Sequence, residues 1–334
     1  MKRISTLFIT ALIIIVSCKK TDSPPKETDQ PVVQEITERK CAAYEVLQEQ
    51  IAADPSLRQR MDDIERFTQR VIANGTVARI AADGVLEIPV VVHVVWNTPA
   101  QNISDEQVQS QIGVLNEDYQ NRNADRTQLP KNSFEDVAST GMNVRFVLDR
   151  IIRKQTTVTS WSTNDAVKNS KRGGSDPLDP SYYLNIWACN LGGGLLGYAQ
   201  FPGGRPATDG VVCLYSAFGS RAKYPGGTYI KKYDLGRTTT HEVGHWMNLR
   251  HIWGDDSGAC SGSDGVADTP NQGDENYGCP NYPTVSCSND PKGDMFMNYM
   301  DYTDDACMYM FTQGQVSRML AVFAANGPRA AMSK

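Results

Sequence analysis

The sequence predicts an α+β domain, and three observations carry that reading. Apolar runs rich in β-branched residues alternate with amphipathic stretches in the order β-α-β-β-β-α. The last of these helices opens the stretch 241–251, which holds three of the chain's four histidines. A long polar region bearing four cysteines then separates it from one closing helix, and a short helical segment precedes the whole.

The elements follow in chain order. Met1-Lys2-Arg3, an apolar run from Leu7 to Val16 and Ser17 read as an export signal over residues 1–17, too short to span a bilayer as a mature helix. Ile15-Val16-Ser17-Cys18 resembles a bacterial lipobox, so cleavage there leaves Cys18 as a lipidated N-terminus, with ordinary signal cleavage as the alternative. Residues 18–36 are rich in Lys, Thr, Asp, Pro and Glu and read as a solvated tether. Over 37–79, Tyr44, Val46, Leu47 and Ile51, then Leu57, Met61, Ile64, Phe67 and Val71, recur at helical spacing. A small, polar stretch from Gly75 to Gly84 follows, with Arg79-Ile80 as a candidate cut point, and the main domain is expected over 80–334.

Leu86 to Val95 reads as a buried strand, with His93 as a core residue. Ser104 and Gln107 predict a capping box opening a helix through Val108, Ile112, Val114 and Leu115. Val144–Ile151, Tyr182–Ala188 and Val211–Ser216 are further expected strands. Thr312 with Gln315 predicts a second capping box and a final helix through Val316, Met319, Leu320 and Phe323. A net charge of −5 with no basic stripe argues against nucleic acid as a partner.

The chemistry lies in His241-Glu242-Val243-Gly244-His245, with His251 six residues on. Residues four apart share a helix face, so His241 and His245 can direct imidazole nitrogens at one zinc ion. Glu242 stands beside that face, suited to be a general base. His251 cannot share the face, so the chain must turn sharply, and Asn248 is an acceptable residue for the left-handed turn. Three neutral ligands leave one tetrahedral position open, as in a catalytic site. Thr238, Thr239 or Thr240 is the expected N-cap.

With these residues in hand, the chain resembles the metzincin zinc endopeptidases and, more closely, the pappalysin family. His241 to Asp255 and Asn298-Tyr299-Met300-Asp301-Tyr302 carry the likeness, with Asn248 where Gly is usual. The resemblance implies a zincin with a twisted mixed sheet, an active-site helix, a Met-turn at Met300 and a C-terminal helix. It further implies that Tyr302 approaches the metal or the oxyanion, and that Leu195, Leu196, Gly197, Tyr198 and Ala199 form an edge strand pairing with substrate. Two disulfides, Cys260 with Cys287 and Cys279 with Cys307, follow from it as well; spacing alone leaves three connectivities open. A structural calcium site among Asp264, Asp268, Thr269, Asp274 and Glu275 follows too, oxygen-rich loops suiting that ion. Asp304 and Asp305 fall where the family walls its S1′ pocket, favouring Arg or Lys after the scissile bond.

Cys41 stands alone in the N-terminal helical segment. A thiolate is a good fourth zinc ligand, so Cys41 is expected to occupy the open position and keep the enzyme latent. Cys189 and Cys213 are expected as buried thiols, a disulfide between them being the alternative. The reading is therefore a latent zinc endopeptidase acting on extracellular proteins or peptides, lipid-anchored at the bacterial cell envelope or secreted after processing. Its contact with membrane is expected only through the N-terminal lipid. The alternative is a surface binding or adhesion lipoprotein with a structural zinc site, against which an intact Glu242 argues.

Overall fold

The computed structural model describes residues 36–76, 84–288 and 291–333. The signal, Cys18, most of the tether and the Arg79-Ile80 cut point lie outside them.

Five strands form one mixed sheet: β1 Leu86–Trp96, β2 Val144–Gln155, β3 Leu184–Cys189, β4 Gly197–Ala199 and β5 Val211–Leu214, in the order β2-β1-β3-β5-β4. All neighbours run parallel except β4, which pairs antiparallel with β5 and makes the edge. Parallel strands bury both faces, which is why β1 reads as the unbroken run Val90-Val91-Val92-His93-Val94-Val95. The pleat divides the core by period two. Ile186, Ala188, Val211 and Cys213 face one layer with Val243, Trp246, Met247 and Met319; Trp187, Cys189, Val212 and Leu214 face the other with Trp161 and Tyr198. His93 is buried against Trp187, with ring centroids 4.7 Å apart, its Nε2–H donating to Asn185 Oδ1 and its Nδ1 accepting from Ser175 Oγ. Burial pushes its pKa down to about 4. Cys189 and Cys213 are buried free thiols.

The helices are α1 Ala43–Ala53, α2 Ser56–Ala73, α3 Asp105–Tyr119, α4 Arg237–Trp246 and α5 Gln313–Ala321. Asp54-Pro55 breaks the N-terminal segment into α1 and α2. Thr312 and Gln315 form the expected reciprocal cap of α5. Two expectations fail. Ser104 Oγ caps α3, but Gln107 does not return the bond; its amide instead donates to Phe218 O and Thr228 O, holding the connection between β5 and α4. None of the three threonines caps α4. Gly236, in the left-handed region at φ 86°, is the N-cap, and Thr238, Thr239 and Thr240 lie buried inside the helix, Thr240 Oγ1 donating to Asp118 Oδ2.

Between α4 and α5 the chain carries little regular structure. Disulfides Cys260–Cys287 and Cys279–Cys307 staple it, a constraint suited to residues 254–286, which bury few apolar side chains.

Candidate metal centre

α4 packs beneath β4 and β5 and is buried along its whole length. It ends at Met247, and Asn248 takes φ 75°, the left-handed turn that the spacing of the third histidine demands. Leu249 N donates to Gly244 O, and the buried guanidinium of Arg318 on α5 donates to Asn248 O at 2.7 Å, so the hinge is pinned from both sides. The chain then brings His251 back to α4. His245 Nε2 lies 3.1 Å from both His241 Nε2 and His251 Nε2.

Each ring is oriented by its other nitrogen. Nδ1–H of His241 donates to Tyr299 O at 2.7 Å, that of His245 to Leu249 O at 2.8 Å, and that of His251 to Asp255 Oδ1 at 2.7 Å. These bonds fix the tautomer and turn three Nε2 lone pairs toward one point. Two imidazole nitrogens sharing a tetrahedral zinc at about 2.1 Å sit roughly 3.4 Å apart, so the donor set fits that ion. Cys41 Sγ completes the group: the four ligand atoms lie within 4.8 Å of one another, and among the described residues no other set of three or more such side chains does so.

Glu242 is fully buried beside them, and Cys41 Sγ–H donates to its Oε2 at 3.4 Å. In the chain's own field burial raises Glu242 to about 8 and holds the Cys41 thiol well above its ordinary value. Gly197 of β4 lies directly over the carboxylate. Tyr302 Oη stands 3.3 Å from His251 Nε2 and donates to Cys41 O at 3.1 Å. Met300 is buried under α4 against Gly244, and its N–H donates to Asn298 Oδ1. Asn298 in turn exchanges amide bonds with Gln315, so the cap of α5 also holds the turn beneath the histidines.

The N-terminal segment runs along β4 as an added parallel strand. Leu196 N donates to Lys40 O, Ala42 N donates to Gly197 O, and Cys41 bridges Gly197. Of the glycine-rich strand, Gly197 and Ala199 face α4 and Tyr198 the opposite layer, while Leu195 lines the open groove. Two residues before Cys41, Arg39 fills a closed pocket. Its Nη2 meets Asp305 Oδ1 at 2.6 Å with both side chains 1% exposed or less, its Nη1 donates to Thr238 Oγ1, its Nε donates to Thr303 O, and its guanidinium lies over Tyr233. Asp305 Oδ2 accepts from Leu235 N and Arg237 N. Asp304 stands outside this pocket, 3.8 Å from Lys232.

The five residues expected around calcium do not converge. Asp264 accepts from Thr269 Oγ1, Asp268 accepts from Thr312 Oγ1 and Gly314 N at the start of α5, and Glu275 accepts from Tyr277 Oη beside Asp274. Sequence reasoning passed over Asp255 and Arg39 as site residues, and named Gly197 only within the substrate-pairing strand, not as the residue packed on Glu242. An acid four residues after His251 and a cation two before Cys41 were the available signals; the role of Gly197 shows only once β4 lies over α4.

A buried His-Glu-His helix, a third histidine returned by a left-handed turn and a methionine turn beneath them define a zinc-dependent endopeptidase of the metzincin class. The family model described as pregnancy-associated plasma protein-A, a peptidase family, matches residues 171–324. An extracellular metalloprotease of Pyricularia oryzae is 37% identical over 259 residues, covering 75% of this chain and 79% of its own. Mature mirolysin of Tannerella forsythia, in complex with a cleaved peptide, matches at TM-score 0.71 and 50% identity over 75% of this chain and 96% of that one. A promirolysin variant of the same organism matches at TM-score 0.78 and 46% identity over 88% and 97%. The chain belongs to the pappalysin family and is a zinc metalloendopeptidase.

Proposed function

We propose that this chain is the latent precursor of an exported endopeptidase in which His241, His245 and His251 hold the zinc and Glu242 is the base. The observation that carries the reading is the convergence of three oriented Nε2 atoms beside a buried carboxylate. Bound zinc supplies Lewis acidity, polarising the scissile carbonyl and acidifying water. Glu242 takes a proton from the attacking water and returns one to the leaving amine as the C–N bond breaks. Tyr302 Oη donates to the developing oxyanion. Leu196 N and Gly197 O, which pair with the N-terminal segment, pair with substrate backbone once that segment leaves.

Asp305 is proposed to receive an arginine or lysine at P1′, and the support is that Arg39 already sits there as such a side chain would. Latency is proposed to rest on two plugs, Arg39 in that pocket and the Cys41 sulfur at the histidines. A divalent cation among the ligands reverses the bias toward the neutral thiol, because a coordinating thiol is deprotonated. The prosegment is taken as 37–79 and the catalytic domain as 80–334, with Cys18 and its tether as the lipid anchor.

The test is hydrolysis of a diverse quenched peptide library by the full chain after limited proteolysis within 75–84, with and without a zinc chelator. Cleavage before Arg or Lys that the chelator abolishes supports the reading; chelator-resistant cleavage, or none, counts against it.

A further inference from the structure

A second concavity opens beyond the downstream end of β4, a cavity of about 640 Å³ whose lining includes Gln50 of α1, the turn at 164–172 and the connection from β4 to β5. Four cationic side chains and two carboxylates line it, in a chain whose net charge is −5. Lys168 is committed: its fully buried Nζ pairs with Asp165 at 2.9 Å, donates to Thr208 O and lies 5.0 Å from the Tyr198 ring centre. Asp176 is committed as well, accepting from Ser170 N and Oγ. Among the described residues no ion pair within 4 Å holds Lys171, Arg172 or Arg205; the Lys171 charge helps keep the Asp176 carboxyl below its ordinary value, and the Arg172 side chain bonds to Asn164 O.

The turn that carries them is built. Asn169 Oδ1 accepts from Lys171 N, Gly173 closes the turn at φ 88°, and a Cβ on Gly174 would meet Val167 O at 2.1 Å. Arg205 is fixed through its carbonyl, which accepts from Gln200 Nε2, and Gln200 directly follows β4.

The N-terminal segment shows how this cavity relates to the groove. It lays Arg39 against Asp305, Cys41 against Glu242 and Gln50 against Gln200 Oε1 at 3.3 Å, in that order along β4. α1 rises about 10 Å from Ala43 to Gln50, the reach of about three extended residues. The segment brings a neutral amide, that of Gln50, to the cavity whose lining also carries the Lys171, Arg172 and Arg205 cations.

We infer that Lys171, Arg172 and Arg205 form an anion-accepting subsite for a Glu or Asp of the substrate, about three to four residues from the scissile bond on the side away from Asp305. This rests on the groove reading proposed above. The subsite sets specificity through charge on a partly exposed surface, so its contribution is several-fold and sensitive to salt.

The experiment uses the full chain after activation and matched quenched peptides carrying Glu or Gln at each of the second to fifth positions before the scissile bond. The inference expects about a five- to tenfold higher kcat/KM for Glu at one of the third to fifth positions, falling toward parity in 0.5 M NaCl. Arg205→Glu and a Lys171→Ala/Arg172→Ala pair should each erase that preference while leaving the Gln peptide's kcat/KM and the thermal unfolding midpoint in place. Equal cleavage of Glu and Gln peptides at every position overturns the subsite and leaves the protease standing. Cleavage of neither peptide overturns the groove reading and the subsite with it.

Discussion

Gly197 and Glu242 are packed so closely that a Cβ on the glycine would lie 2.7 Å from Glu242 Oε1, 2.8 Å from Cγ and 2.9 Å from Cδ. The edge strand thus leaves no room for any side chain over the proposed base. Gly197→Ala must push the carboxylate aside, and a displacement near 1 Å at a reacting group costs on the order of 100-fold. The expected outcome is a kcat at least about tenfold down with zinc content unchanged. An unaltered kcat would show that the carboxylate's position is not critical.

Beneath the histidines a Cβ on Gly244 would fall 2.5 Å from Met300 Sδ. Gly244→Ala therefore overpacks the floor of the site, at a cost of about 1–3 kcal/mol. A fall of several degrees in Tm is expected, larger than for an alanine at an exposed helix position. Gly244→Ala with Met300→Ala should recover part of the loss.

Arg39 and Asp305 pair with both side chains out of solvent, and removing one partner of such a pair costs about 3–5 kcal/mol. Arg39→Ala should destabilise the precursor and speed loss of its N-terminal segment, measured as the rate of appearance of peptidase activity. Cys41→Ala should act in the same direction through the other plug. Precursors as stable and as latent as the wild type would contradict the two-plug account.

His93 gives a pH signature away from the metal. Its folded pKa of about 4 lies below the unfolded value of about 6.5, so folding favours the neutral ring. The stabilisation is full above about pH 6.5 and is lost as pH falls toward 4, amounting to about 3 kcal/mol. Urea unfolding should show the gap between wild type and His93→Gln narrowing over that window. A gap that stays constant from pH 7 to 4 would contradict it.

What the sequence made legible was local, or was carried by the family likeness. The His241 face, the turn at Asn248 and the α5 cap each depend on residues within about six positions of one another, where helix and turn geometry dictate contact. The disulfide partners came from the resemblance, since spacing allowed three pairings. What stayed hidden is long-range. Arg39 meets Asp305 across 266 residues, and no local pattern distinguishes it from a solvated arginine. The threonines before His241 have the composition of a cap, but Gly236 in the left-handed region starts the helix one turn earlier and buries them. Gln107 has capping-box spacing, yet three partners between 215 and 228 outcompete the local bond.

The most direct test of the central claim compares zinc content and peptide hydrolysis for the activated wild type, Glu242→Ala and His251→Ala. The account predicts one zinc per chain with no cleavage for Glu242→Ala, and loss of both zinc and cleavage for His251→Ala. Peptide hydrolysis surviving in Glu242→Ala, or zinc held at full stoichiometry and affinity without His251, would contradict it.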